Sequence, residues 1–169
     1  WWGTDAPTVV TVEGYTGRVT AVGTGTATIF ADLGGIRGTK TIRTVPDFTG
    51  YWSGWYEQTG CEASGDWAVL RVCPDSEYDF TMSQMKMRLT QDRDTVSGTF
   101  TLGGRFGLEA AIVSGRASAD GTLTFTGTVP GLDLNVELRN VRFEVPQKGE
   151  MTGTFEQLYS SSASTRSGT

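Results

Sequence analysis

The chain contains no histidine and only two cysteines among its 169 residues. The commonest general base is therefore missing, and with it the Ser-His-Asp triad, the Cys-His pair and most zinc or iron sites. These absences predict a protein that is not an enzyme and that holds neither a metal ion nor a cofactor.

Long apolar runs and basic runs are missing as well. No apolar stretch exceeds a few residues, so nothing is long enough to span a bilayer, and residue 1 does not begin a signal peptide. We expect any targeting segment to have been removed or to lie outside this sequence. The net charge of −5 argues against nucleic acid or an anionic membrane as the main partner.

Glycine, threonine and serine are abundant instead, with 23 glycines in the chain. Aromatic and β-branched residues come in short runs, and stretches rich in good helix formers are absent. This composition predicts an all-β protein with many short strands and tight turns. The length suits one large domain or two small ones.

The two cysteines, Cys61 and Cys73, flank a glycine-containing hairpin. A disulfide that closes this loop is the favoured interpretation, and two free thiols are the alternative. A disulfide would place the protein in an oxidising compartment.

A first unit is predicted for residues 1–46, because Pro46 cannot continue a central strand. Its short alternating runs predict strands, which are expected at 9–12, 17–22, 26–31 and 39–45.

The first unit resembles the second half of a bacterial Ig-like domain of group 2. The resemblance rests on Trp2, Asp5, Val10, Val12 and most specifically on residues 17–29. It implies a partial β-sandwich, since members of that family begin with two or three further strands. Three explanations stay open: the chain is truncated, its start is disordered, or another polypeptide completes the sandwich.

A second unit is predicted for residues 47–158, followed by a polar tail at 159–169. Eight or nine strands joined by short turns, one of them at Asp120-Gly121, indicate an up-and-down meander that closes into an antiparallel barrel of about eight strands. The predicted strands include 67–73 and two separate segments at 132–139 and 141–145. Gly98 and Gly153, each between apolar residues of one face, would allow the sheet to coil sharply. In shape only, this unit resembles small lipocalin-like or avidin-like bacterial barrels.

Aromatic residues supply the candidate binding residues: Trp52, Trp55, Tyr56 and Trp67. Along the first strand of the second unit, Trp52 and Tyr56 share one face, while Tyr51 and Trp55 share the other. One set should enter the barrel, where filling the interior is favoured over stacking on a small ligand. The other set would stay outside and contact a protein or a sugar.

Carboxylates are the remaining chemical groups of interest. Six carboxylates are of the residue type that catalyses glycoside hydrolysis: Glu57, Asp66, Glu109, Glu137, Glu144 and Glu156. Most of them alternate with apolar residues, which favours the interpretation that they are surface charges on the solvated face of a strand. Three alternate in a loop that could bind calcium but lack the pattern of an EF-hand: Asp75, Glu77 and Asp79.

These features together predict a non-enzymatic structural or accessory protein outside the bacterial cytoplasm, in the periplasm or at the cell surface. Its expected partners are proteins of a larger envelope or membrane-associated assembly. The alternatives are a carrier that holds a small apolar ligand in the barrel and a carbohydrate-binding or cell-surface adhesion module.

Overall fold

The computed structural model describes residues 1–64, 82–103, 108–129, 134–147 and 149–161. Within these ranges the chain forms strands, turns and irregular segments and no helix, which confirms the all-β prediction. The strands are β1 (Trp2–Thr4), β2 (Val10–Val12), β3 (Val19–Ala21), β4 (Gly25–Leu33), β5 (Ile36–Thr44), β6 (Gly50–Tyr56), β7 (Ser83–Asp92), β8 (Thr95–Leu102), β9 (Leu108–Ala117), β10 (Thr122–Thr128), β11 (Leu134–Gln147) and β12 (Glu150–Ser161).

The first five strands form two small antiparallel sheets. One contains β1, β4 and β5 in the order β1-β4-β5, and the other pairs β2 with β3. Val10, Ala27 and Ile29 are buried, whereas β3 is exposed along its whole length. This part of the molecule therefore buries little apolar surface of its own.

The remaining strands form one antiparallel sheet in the order β12-β11-β10-β9-β8-β7-β6. Each of these strands pairs with its neighbour in sequence, as the predicted meander requires. The ring of Phe155 on β12 lies 5.4 Å from that of Tyr56 on β6. This short distance between the two end strands shows that the sheet curls strongly. The first and last strands of this order thus face each other across the interior.

Buried and exposed residues alternate along the strands of the curled sheet, and the buried ones form its core. Along β10 and β11, Leu123, Phe125, Val141 and Phe143 are buried, while the residues between Val141 and Phe143 and after Phe143 are exposed. Because successive side chains point to opposite faces, one face fills the interior and the other meets solvent.

Three aromatic rings pack at the centre of the interior. Phe100 lies 5.5 Å from Phe125 and 6.3 Å from Phe143, and the last two stack at 6.1 Å. Phe100 is fully buried and Phe143 nearly so. These three rings therefore occupy the centre of the described interior.

The junction between the two parts is fastened to the curled sheet by Phe48. This side chain has no exposed surface and belongs to the same core. Its backbone N–H donates to Gln91 Oε1 at 2.9 Å, and its carbonyl accepts from Trp52 Nε1 at 2.8 Å. Gln91 Nε2 in turn donates to the carbonyls of Pro46 and Arg93 at 2.9 and 2.7 Å. Phe48 therefore covers the end of the sheet where β7 turns into β8.

Glycine at positions 98 and 153, the two that the sequence analysis identified, allows neighbouring strands to approach closely. Gly98 has φ of +145°, and a Cβ there would overlap the carbonyl oxygen of Arg88 on the neighbouring strand. A Cβ at Gly153 would lie 2.6 Å from the Phe143 ring. Side chains at these positions would push adjacent strands apart and prevent the coiling.

The structure adds to the expected strands at three places. It contains β1, which was not expected, joins the two segments predicted around residues 132–145 into one strand, and extends β12 to Ser161, into the expected tail. The strand predicted at 67–73 lies outside the described residues. Among the described residues no helix is long and apolar enough to cross a membrane.

Candidate binding surfaces

β6 divides its four aromatic residues between two faces, as the alternation predicted. Trp52 and Tyr56 are partly buried and pack against the core, whereas Tyr51 and Trp55 are 64% and 66% exposed. Two of the candidate binding residues therefore face inward and one, Trp55, faces outward.

The inward pair has structural partners. Trp52 Nε1 donates to the carbonyl of Phe48, and Tyr56 Oη donates to the carbonyl of Gly103 at 2.9 Å. The polar atom of each ring is satisfied inside the protein, as is usual for buried Trp and Tyr. These hydrogen bonds fix β6 at both ends and use the N–H of Trp52 and the O–H of Tyr56, so neither side chain has a donor left for a ligand.

The outward pair lies on a face that also carries cations. In the register of β6 and β7, Tyr51 is opposite Arg88, and Ser53 is opposite Lys86. Trp55 is opposite Gln84, which is exposed. We call the face formed by these six residues the aromatic-cationic face.

The two cations of this face are unpaired in the described part of the chain. Neither Lys86 nor Arg88 has a hydrogen bond or an ion pair there, in contrast to Arg116, which lies 3.5 Å from Asp94. Each charge is therefore available to an external anion.

A second surface lies on the first sheet, where its apolar face continues past the buried part. Residues two apart on a strand share a face, so Leu33 lies on the same side as Ala27 and Ile29, and Ile36 is its cross-strand partner. Leu33 is 83% exposed and Ile36 is 78% exposed, although both are large and apolar. We call this pair the apolar tip.

The apolar tip joins the free edge of β5. Among the described residues β5 pairs only with β4, so its other edge has no backbone partner. β5 carries three cations and no acid. Arg37 is held by both carboxylate oxygens of Asp32 at 2.8 Å and lies 4.4 Å from the centre of the Phe30 ring.

The other two cations of β5 are Lys40 and Arg43. Both are exposed, and within the described ranges neither has a hydrogen bond or an ion pair. The edge of β5 thus combines free backbone groups with uncompensated positive charge.

Several predicted residues lie outside the described residues: Asp66, Trp67, Cys73, Asp75, Glu77 and Asp79. The predicted disulfide between Cys61 and Cys73 therefore stays a prediction, as do the binding role of Trp67 and the calcium loop.

The described candidate carboxylates lie at the surface. Glu57, Glu109, Glu144 and Glu156 are exposed, and Glu137 is half-buried. Glu156 accepts from Asn140 Nδ2 at 2.7 Å, and Glu144 lies 3.3 Å from Arg142. In the part of the chain that the structure describes, no group of three or more His, Cys, Asp or Glu side chains could hold a metal ion.

Sequence reasoning missed Lys86 and Arg88, because their place beside Tyr51 and Trp55 depends on the register of two strands separated by residues 57–82. It also did not single out Leu33 and Ile36. The Gly34-Gly35 turn between them was visible and could have indicated that both residues lie at a hairpin tip.

Comparison with protein-family models, with curated proteins and with solved structures finds no match to this chain. The resemblance of residues 17–29 to a bacterial Ig-like domain and the lipocalin-like shape of the second part therefore stay predictions.

Proposed function

We propose that this chain is a non-enzymatic, extracytoplasmic accessory protein that docks on a larger assembly of the bacterial envelope. The observation that carries the proposal is the exposed apolar tip, Leu33 and Ile36, at the end of a strand whose outer edge has no backbone partner among the described residues. A free edge with adjacent apolar side chains is a template for strand addition.

The partner that fits this surface is an extended acidic segment of another protein. Its backbone would pair with β5, its acidic side chains would meet Lys40 and Arg43, and its apolar side chains would cover Ile36 and Leu33. Lysine on an edge strand also discourages pairing with a second copy of the same edge, because like charges would then be adjacent. A complementary acidic strand avoids this repulsion.

The small core of the first part supports the same proposal. Val10, Ala27 and Ile29 are its buried apolar residues among those described, and a two-layer β unit normally covers its apolar face completely. Docking at β5 would extend the first sheet by one strand and shield the apolar tip from water.

The alternative of a small-ligand carrier has less support. The rings of Phe100, Phe125 and Phe143 occupy the described interior of the curled sheet, and a ligand pocket of useful size would need that space.

Charge reversal on β5 tests the proposal. The double variant Lys40→Glu, Arg43→Glu should lose envelope proteins that co-purify with the wild-type protein from gently solubilised cells, because it repels an acidic strand. The control is Arg18→Glu, an exposed cation of the first part that does not lie on β5.

Both variants should keep the wild-type thermal transition, since all three side chains are exposed. Retention of the same partners by the β5 variant, or equal loss with Arg18→Glu, would contradict docking at β5.

A further inference from the structure

The aromatic-cationic face on β6 and β7 presents two exposed rings at a fixed separation. Tyr51 and Trp55 are four residues apart on one strand, so their attachment points are roughly 13 Å apart. Both are about two-thirds exposed. Aromatic side chains left in water on one face are a common mark of a binding site.

Positive charge lies between and beside these rings. Lys86 is the partner of Ser53, midway between the two aromatic residues, and Arg88 is the partner of Tyr51. The whole chain is acidic, with a net charge of −5, yet this face carries two cations without partners in the described ranges. Across the sheet, Lys86 pairs with Thr101 on β8, and Thr101 pairs with the acidic Glu109 on β9, two strands away from Lys86.

The strand that bears the rings is held from the inside. Trp52 and Tyr56, whose side chains point inward, are anchored by their hydrogen bonds to the carbonyls of Phe48 and Gly103. The outer rings are therefore presented on a rigid backbone, and binding would cost little conformational entropy beyond the rotamers of the two aromatic side chains.

We propose that this face binds a carboxylated polysaccharide. The face of a pyranose ring is lined by C–H groups and stacks on the electron-rich face of Trp or Tyr. The carboxylates of uronic acid units would pair with Lys86 and with the guanidinium of Arg88, which can engage both oxygens. This site is separate from the free edge of β5 and does not depend on docking there.

The spacing of the rings sets the length of the ligand. A single sugar cannot stack on two rings roughly 13 Å apart, so both contacts require an oligomer. We therefore expect free galacturonate to bind at least about tenfold more weakly than a chain of galacturonate units.

Other polyanions fit this face less well. Single-stranded nucleic acid also stacks on aromatic side chains, but it carries a phosphate on every nucleotide and needs a continuous track of cations. The aromatic-cationic face has only two cations, Lys86 and Arg88, and the chain as a whole is acidic, so it does not offer such a track. An acidic peptide that paired with the end strand β6 would use backbone groups and would leave the rings of Tyr51 and Trp55, which project from the face of the sheet, without a stacking partner.

The test is isothermal titration calorimetry of the full chain with polygalacturonate and with alginate, and with dextran as a neutral chain. We expect at least one of the acidic polymers to bind, dextran to bind at least about tenfold more weakly, and affinity to fall as salt is raised. No binding of either acidic polymer, or equal affinity for dextran, would overturn the proposal. Tighter binding of oligothymidylate than of both acidic polymers would also overturn it, in favour of nucleic acid.

Matched variants place the site. Trp55→Ala should weaken binding at least about tenfold, and the double variant Lys86→Gln, Arg88→Gln should remove the preference over dextran. Tyr15→Ala and Lys40→Gln remove an exposed aromatic and an exposed cation elsewhere and should leave binding unchanged. Wild-type affinity in both site variants, or equal loss in the controls, would contradict the assignment. Lys40→Glu, Arg43→Glu should still bind the polymer, so failure here is distinguishable from failure of docking.

Discussion

Phe48 connects the first part of the chain, which has a small core, to the curled sheet of the second part. Both backbone groups of Phe48 are bonded to side chains of the curled sheet, and its ring has no exposed surface. The linker is thus a structural element of the second part, although Pro46 two residues earlier marks the predicted boundary.

The Phe48→Ala variant should lose about 3–5 kcal/mol of the free energy of unfolding, as is typical when a fully buried Phe is truncated in a core. Urea unfolding at neutral pH measures this loss. Tyr51→Ala, on the exposed face three residues later, should change stability by less than about 0.5 kcal/mol. Similar values for the two variants would show that Phe48 is not part of the core.

Three surface carboxylates should make stability depend on pH in acid. The Arg37 guanidinium lowers the pKa of Asp32 through its hydrogen bond, and the hydroxyl and backbone N–H of Thr122 lower that of Asp120. Thr49 lowers the pKa of Asp47 in the same way. Between the folded and unfolded pKa values, the unfolded chain binds more protons, so protonation favours unfolding.

We therefore expect the contribution of these carboxylates to be complete above about pH 5 and to be lost as the pH falls below about 4. Urea unfolding at a series of pH values should show this decline for the wild-type protein. The triple variant Asp32→Asn, Asp47→Asn, Asp120→Asn should decline less steeply. An equally steep decline would assign acid sensitivity to other groups.

At the scale of strands, glycine determines how closely β7 and β8 approach. The Gly98→Ala variant should be destabilised by about 1–3 kcal/mol or more, because its Cβ meets the Arg88 carbonyl and its φ of +145° is strained for an L-residue. Gly54→Ala on β6 is the control, since no described atom lies within 4 Å of its Cβ position and its φ is not positive. Chemical denaturation compares the two, and equal effects would contradict the close approach at Gly98.

Alternation predicted most of the strands from the sequence. The prediction was good where apolar and polar residues alternate over several positions, as in β7, β10 and the second half of β11. It missed β1, whose sequence Trp2-Gly3-Thr4 has no β-branched apolar run, unlike the equally short β2 and β3. It split β11 because Asn140 adopts φ of +50° where the pairing with β12 shifts, and this bulge interrupts the pattern.

The candidate surfaces were only partly predictable. Alternation separated Tyr51 and Trp55 from Trp52 and Tyr56, but it could not tell which pair faces inward, since both faces of β6 are aromatic. Lys86 and Arg88 lie near Tyr51 because β6 pairs with β7 in one particular register. Composition and periodicity do not specify the register between strands far apart in sequence. The burial of Phe48 was also hidden, because a single aromatic residue in a linker has no pattern.

At the scale of the whole molecule, the two parts carry different surfaces. The first part exposes an apolar tip and a positively charged strand edge, and the second part exposes the aromatic-cationic face. We propose a protein strand as the partner of the first surface and an acidic polysaccharide as the ligand of the second. The two proposals together describe a protein that would join an envelope assembly to the polymers around it.

Site-specific photo-crosslinking in the native host can detect the proposed docking at the β5 edge. A photoreactive residue at position 40 should crosslink to one defined envelope protein, and mass spectrometry should locate the crosslink in an acidic segment of it. The same residue at Tyr15, which is 98% exposed, should not capture that protein. No defined crosslink from position 40, or the same product from position 15, would contradict docking at β5.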